Sequence, residues 1–410
     1  MNFGKDFIWG AASSAYQTEG AATADGKGKS VWDVFSHKAG NIVNDRNADV
    51  SCEHYSRYAE DVKLMSEIGI KAYRFSTAWT RILPEGRGKI EHKGLDFYNR
   101  LTDELLNYGI EPYLTLYHWD LPQALHEKGG FLNGDIAEWF VEYAQAVTAR
   151  LGDRIKNFMT FNEPQCFVNL GYKHGIHAPG LKLSEEELFK ICCNVVKCHG
   201  RATDVIRKNV KNSVVSAACC AEDYYPARDD EKLNEAVKQF FFNPLSVTSL
   251  SWFADPVFLG KIPQELAEKH PESYGKITAE EMKSISQPLD YFGFNIYTAP
   301  AMDFGADGTL REVVPYEGYP VTAMNWQMNE KCMEYALDYV SERYRMPIII
   351  SENGMANNDW ICLDGKVHDE LRIDYLKRHI GAIKKANSRG ADVRGYFVWS
   401  FTDNFEWAAG

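Results

Sequence analysis

Short runs of apolar, β-branched or aromatic residues recur along the chain, each followed by a polar loop and then a stretch with apolar positions at helical spacing. Eight such runs stand out: residues 7–12, 71–76, 111–117, 157–163, 213–219, 291–297, 347–353 and 395–400. Most are apolar nearly throughout rather than alternating, the pattern of parallel strands buried on both faces. Between them, residues 55–68, 95–108, 137–151, 185–209, 330–343 and 369–388 read as helices, the first two stopping before Gly69 and Gly109. Eight strands alternating with helices define an α/β protein, either a (β/α)8 barrel or a doubly wound sheet. No Gly-rich nucleotide fingerprint follows the first strand. The barrel is therefore expected, as a single domain over residues 1–410.

Composition narrows the function. Hydrophobic content of 45% and charged content of 25% are globular values and exclude wholesale disorder. A net charge of −12 argues against nucleic acid, whose phosphates are held by Lys and Arg. No apolar run approaches the roughly 20 residues of a membrane helix, and the N-terminus does not read as a signal peptide. Nine irregularly spaced Cys fit reduced thiols and a cytoplasmic setting better than a disulfide framework. Gly28-Lys29-Ser30 mimics the end of a phosphate-binding loop, but Thr23 stands where that loop needs Gly, so it reads as a surface turn. Aromatic residues make up 13% of the chain, with ten Trp. They must either fill the core or form a surface on which something flat stacks.

In a barrel, chemistry sits at the C-terminal ends of the strands. There the chain places Gln17 and Glu19, Arg74, Tyr117-His118-Trp119-Asp120, Asn162-Glu163-Pro164, Asn295 and Tyr297, Ser351-Glu352-Asn353, and Trp399 followed by Asp403 to Trp407. Glu163 and Glu352 end strands four and seven, far enough around an eight-stranded ring to face each other. A facing carboxylate pair beside Trp platforms suits glycoside cleavage, one acid protonating the leaving oxygen while the other attacks or activates water. A strand-end Glu alone is as easily a loop-junction ion pair; two of them on one rim with His, Asn, Arg, Tyr and four Trp are not. Metal chemistry is the main rival. The two-His strand pattern is missing, His174 and His177 read as loop packing, and Cys192, Cys193, Cys198 and His199 read as core-facing groups of one helix. No cofactor and no metal are expected.

The segments FIWGAASSAYQTEG, YRFSTAWTRILPEG, YHWDLPQAL, FNEP, GYKHGIHAPG, SENG and VWSFTDNFEW together resemble glycoside hydrolase family 1, the β-glucosidases and their relatives, over essentially the whole chain. The resemblance implies a retaining mechanism through a covalent glycosyl-enzyme, with Glu163 as acid/base, Glu352 as nucleophile, and Arg74 and Tyr297 stabilising it. It implies a sugar pocket of Gln17, His118, Trp119, Asn162, Asn295, Glu406 and Trp407, with Trp399 as its floor and Trp326 on the leaving-group side. Asn162 is expected to hold the sugar 2-hydroxyl. The expected partner is a small β-glycoside, cellobiose-like or aryl; the glycone is left open among glucose, galactose and fucose, and the oligomeric state is left open too. A 6-phospho-β-glucosidase is the alternative, disfavoured because Glu406-Trp407 stands where phosphate-binding Ser, Lys and Tyr are found in such enzymes; a non-catalytic sugar-binding protein is a third reading. Three departures stand out: Asn325 replaces the Gly of the family's Met-Gly-Trp, Ser351 replaces a common Thr, and the chain stops at Gly410, before the family's final helix. The last suggests a fragment or another cover for that side of the barrel.

Overall fold

The computed structural model describes residues 3–222 and 224–410. Eight parallel strands close into a barrel: Ile8–Ala12, Ala72–Ser76, Glu111–Tyr117, Asn157–Asn162, Val214–Cys219, Phe292–Asn295, Ile348–Asn353 and Val393–Trp399. They neighbour one another in chain order, and the first closes on the eighth through Ile8 opposite Gly395 to Ala12 opposite Trp399. All eight expected strands are present, with ends shifted by a few residues. Two shifts matter: the fourth strand stops at Asn162 and the sixth at Asn295, so Glu163 and Tyr297 stand just beyond the sheet rather than in it. The six expected helices also form, as His54–Glu67, His92–Asn107, Ile136–Leu151, Glu185–Asn209, Lys331–Tyr344 and Glu370–Ser388.

The barrel interior is filled by one side chain from each strand or its edge: Ala12, Ala72, Tyr113, Met159, Ala218, Tyr291, Ile349 and Phe397. Three alanines make room for three aromatic rings, and Tyr113 meets Phe397 edge-on at 5.0 Å. This plug closes the barrel beneath the mouth. A larger outer core joins the strands to the helices, with Trp32, Trp79 and Trp252 fully buried. Burying a large apolar side chain is worth about 1.5–3 kcal/mol, so the outer layer supplies most of the stabilisation. Glu185–Asn209 buries Cys192, Cys193, Cys198 and His199, and His199 Nδ1 lies 2.6 Å from Thr160 Oγ1. The core-facing reading of that cluster holds.

The sequence pattern did not reveal the segment between the fifth and sixth strands. It holds the helices Glu231–Phe241, Gln264–Lys269 and Ala279–Ile285 and the π-helical turn Asp255–Leu259. Asp255 is buried there and holds Arg343 (2.9 and 2.5 Å) and Tyr344 (2.9 Å), tying the insertion to the Lys331–Tyr344 helix. A three-stranded sheet, Tyr225–Pro226, Ala301–Phe304 and Leu310–Glu312, lies outside the barrel. Gly28-Lys29-Ser30 is only partly the surface turn expected. Lys29 is exposed, but Ser30 is a buried N-cap in a capping box with Asp33. Past the eighth strand the chain ends in the short turn Trp407–Ala409.

Candidate active site

The deepest group at the barrel mouth is Arg74, fully buried on the second strand. A buried guanidinium is stable only if its donors find acceptors. Its Nη1 donates to Glu352 Oε1 at 2.6 Å and to the Ser351 carbonyl at 3.2 Å, Nη2 to Asn162 Oδ1 at 2.7 Å, and Nε to Thr115 Oγ1 at 3.1 Å. One side chain thus ties together the second, third, fourth and seventh strands. The second oxygen of Glu352 accepts from the Tyr297 hydroxyl at 2.7 Å. Burial raises the Glu352 pKa above its ordinary value, and the Arg74 charge with the bonds from Tyr297, Arg74 and Asn295 opposes the rise without cancelling it.

Glu163 has different surroundings. It follows the fourth strand in a left-handed conformation (φ 45°), held by its N–H donating to the Ala218 carbonyl at 2.7 Å. Such a φ is rare for a non-Gly residue and here turns the carboxyl over the mouth. Its Oε1 accepts from Asn295 Nδ2 at 2.9 Å, and among the described residues no cation forms an ion pair with it. Burial, then the charge of Glu352, pushes its pKa up to about 8. Asn295 is the hub between the carboxylates: it also donates to Asn162 Oδ1 (3.0 Å) and accepts from Ser351 Oγ (2.6 Å). Two buried carboxyls therefore differ in kind. One has a guanidinium and a phenol as donors; the other has the Asn295 amide and the Cys166 thiol and keeps its proton.

Around them lies the aromatic and polar rim. His118 stacks on Trp399 (5.6 Å, 21°), and its Nε2 lies 3.0 Å from Asn162 Nδ2. Burial and Arg74 push the His118 pKa well below its usual value, so it is neutral. Its Nδ1 is buried with no partner among the described residues, which leaves a polar atom for a ligand hydroxyl. Gln17 is held by Ser14 (2.7 Å), Asn404 (3.0 Å) and the Phe405 carbonyl (2.9 Å). Trp119 and Trp407 pack against each other at 4.6 Å, both buried, and the Trp119 indole N–H donates to the Asn162 carbonyl at 3.0 Å. Trp399 is partly open and Trp326 more so, the latter 5.6 Å from the Tyr297 ring. Burial and the Glu352 charge push Glu406 up to about 7.

The expected residues thus converge on one mouth, but two neighbours do not belong there. Glu19 is buried in an ion pair with Arg81 (2.9 Å) and takes the Tyr98 hydroxyl (2.6 Å). Asp120 lines the same small internal cavity beside Lys27, Asp33 and Arg81. Thr115, Ser351 and Asn404 went unnoticed as supports of the site. Thr115 is the one small hydroxyl side chain of its strand, between Leu114 and Leu116, the signal that could have marked it. Ser351 supplies the same hydroxyl that Thr would. Asn325 adopts φ 58°, a left-handed position that Asn tolerates better than other residues with a Cβ, so its replacement of Gly keeps the turn beside Trp326.

A closed barrel with a buried pair of unlike carboxyls at its mouth, floored by aromatic rings, defines a hydrolase of the glycoside-cleaving kind. The model of Glycosyl hydrolase family 1 matches residues 1–410. The chain belongs to that family and is a glycoside hydrolase. Among its relatives, β-glucosidase A of Thermotoga maritima is 42% identical over 100% of this chain and 91% of its own length. A 1,4-β-D-glucan glucohydrolase of Thermotoga neapolitana is 40% identical over 100% and 95%. The solved β-glucosidase of Thermotoga maritima in complex with glucoimidazole superposes with a TM-score of 0.91 at 40% identity, over 100% of this chain and 91% of that one. Among the described residues no helix is long and apolar enough to cross a membrane.

Proposed function

We propose that this chain, read as one barrel domain, is a retaining β-glucosidase. It removes terminal non-reducing β-D-glucosyl residues from small β-glucosides, cellobiose-like or aryl, through a covalent glycosyl-enzyme. The observation that carries the reading is the unlike surroundings of the two carboxyls. Glu352, beside Arg74 and Tyr297, is the ionised nucleophile; Glu163, with a pKa near 8 and no cation, is the acid that protonates the departing oxygen. Once Glu352 is esterified its charge is gone, the Glu163 pKa falls, and Glu163 becomes the base that activates water. Buried His118, Asn162 and Gln17, with Glu406, meet the sugar hydroxyls, while Trp399 stacks on its apolar face.

The relatives named as β-glucosidases support the glucoside assignment. Glu406 at the rim supports an unphosphorylated sugar, because a carboxyl beside Glu352 repels a phosphate dianion. Reduced, buried thiols on the Glu185–Asn209 helix are consistent with a cytoplasmic setting. The test is stereochemical. Proton NMR of early hydrolysis should show the β-anomer of glucose as first product. Glu352→Ala should lose turnover and regain it with azide as the α-glucosyl azide. An α-anomer first product, or an active Glu352→Ala enzyme without azide, overturns the proposal.

A further inference from the structure

Tyr297 stands outside the barrel sheet, yet its hydroxyl has to meet one oxygen of Glu352, at 2.7 Å. The sixth strand ends at Asn295, and the Ile296 N–H still donates to the Glu352 carbonyl at 3.1 Å. One residue further on, the sheet no longer sets the course of the chain. A hydrogen bond weakens steeply with distance and angle, so the main chain of Tyr297 has to be fixed by something else.

Three buried side chains do this. Tyr375, on the Glu370–Ser388 helix, donates its hydroxyl to the Tyr297 carbonyl at 2.8 Å. The same hydroxyl oxygen accepts from Asn353 Nδ2 at 3.0 Å, and that amide also donates to the Ile296 carbonyl at 2.7 Å. Tyr396, on the eighth strand, donates to Asn353 Oδ1 at 2.6 Å. Backbone carbonyls only accept, so every direction is forced: Tyr396 to Asn353, Asn353 to Tyr375, Tyr375 to Tyr297. The Tyr375 ring is itself held, stacked on His379 at 3.8 Å and 27°. His379 Nδ1 donates to the Tyr375 carbonyl at 2.9 Å, and its Nε2 lies 3.8 Å from Cys332 Sγ on the Lys331–Tyr344 helix.

We infer that Tyr375 is a positioning residue for the glycoside-cleaving reaction, acting through the main chain of Tyr297 on Glu352, with Asn353 and Tyr396 as the relay that orients its hydroxyl. This rests on the proposed role of Glu352 as nucleophile. Tyr375 bonds the backbone of Tyr297 and not its hydroxyl, so it governs where that hydroxyl points without touching substrate. The helix that follows the seventh strand thereby takes part in aiming the group at the end of that strand.

The experiment is a double-mutant cycle on kcat and KM for phenyl β-D-glucoside, whose poor leaving group makes attack by Glu352 limiting. The proteins are the wild type, Tyr375→Phe, Tyr297→Phe and the double variant, with active sites counted by titration with a 2-deoxy-2-fluoroglucoside, so that unfolded protein does not enter the rates. Tyr375→Phe keeps the stacked ring and loses only the hydroxyl. It should lower kcat about fivefold to tenfold, the order of one hydrogen bond, with KM within about twofold of the wild type. On the Tyr297→Phe background the same change should cost less than about twofold, because the hydroxyl it aims is gone. Tyr396→Phe, at the far end of the relay, should show a smaller loss with the same dependence on Tyr297, and it carries the cycle should Tyr375→Phe not fold. A Tyr375→Phe enzyme as fast as the wild type overturns the inference. So does a loss repeated in full on Tyr297→Phe, which would mark Tyr375 as a core residue only. A wild type that cleaves no aryl β-glucoside overturns the β-glucosidase reading itself, and the positioning role falls with it.

Discussion

The contrast between Glu163 and Glu352 has a pH consequence that can be worked out in sign. Glu163 carries its proton up to a pKa of about 8, raised by burial and by the neighbouring charge. In its proposed role as the acid it works only while protonated, so kcat/KM should fall as pH rises through about 8, with a basic limb belonging to the coupled pair. Replacing Glu352 by Gln removes the negative charge, so the remaining Glu163 must titrate lower. Carbon-13 NMR of labelled Glu side chains reads this directly. A Glu163 pKa unchanged or raised in Glu352→Gln would sink the proposed switch from acid to base. Both carboxyls were legible in the sequence because each ends an apolar strand. Their partners were only half legible: Arg74 and Tyr297 share the strand-end pattern. Ser351, which bonds Asn295, does not announce whom it holds, since that depends on register.

Among elements, the barrel strands were the most readable because burial on both faces makes them apolar throughout. The helices followed from apolar spacing and, for the first two, a Gly stop. Residues 220–290 stayed opaque because their helices are short and their key tie, Asp255 to Arg343 and Tyr344, is polar and nonlocal. Loop conformation is likewise hidden until the backbone is seen, as Asn325 shows. At φ 58° an alanine is strained by about 1–2 kcal/mol, whereas glycine is at ease. Asn325→Ala should therefore lower the melting temperature and Asn325→Gly should not. An alanine variant as stable as the wild type would show that the turn relaxes to another conformation. A similar demand falls on Gly354, where an added Cβ would stand 1.9 Å from the Trp399 carbonyl oxygen.

For the molecule as a whole, net charge and site charge act in the same direction. A chain of charge −12 whose site sets Glu406 beside the charge of Glu352 offers little to an anionic sugar. A β-glucoside should be turned over about a hundredfold more efficiently than its 6-phosphate, a difference of about 2.8 kcal/mol. Equal kcat/KM values for the two would remove Glu406 as the discriminating group. The same global view explains the aromatic surplus. Most Phe and Tyr fill the outer core, and a minority, Trp399 and Trp326 foremost, stay partly open at the mouth.

The four-way anchorage of Arg74 bears on how this enzyme can change. Its guanidinium joins four strands, so a substitution at any of its partners should disturb Glu352, the proposed nucleophile, as well. Diversification is thereby channelled away from the strand ends and onto the loops that follow the sixth and seventh strands, the first of which meets the site where Trp326 lies beside Tyr297. A laboratory search for new leaving-group preferences should accordingly randomise residues 313–328 and 355–369 and leave the barrel rim untouched. Variants recovered there should keep the chemistry and trade one leaving group for another.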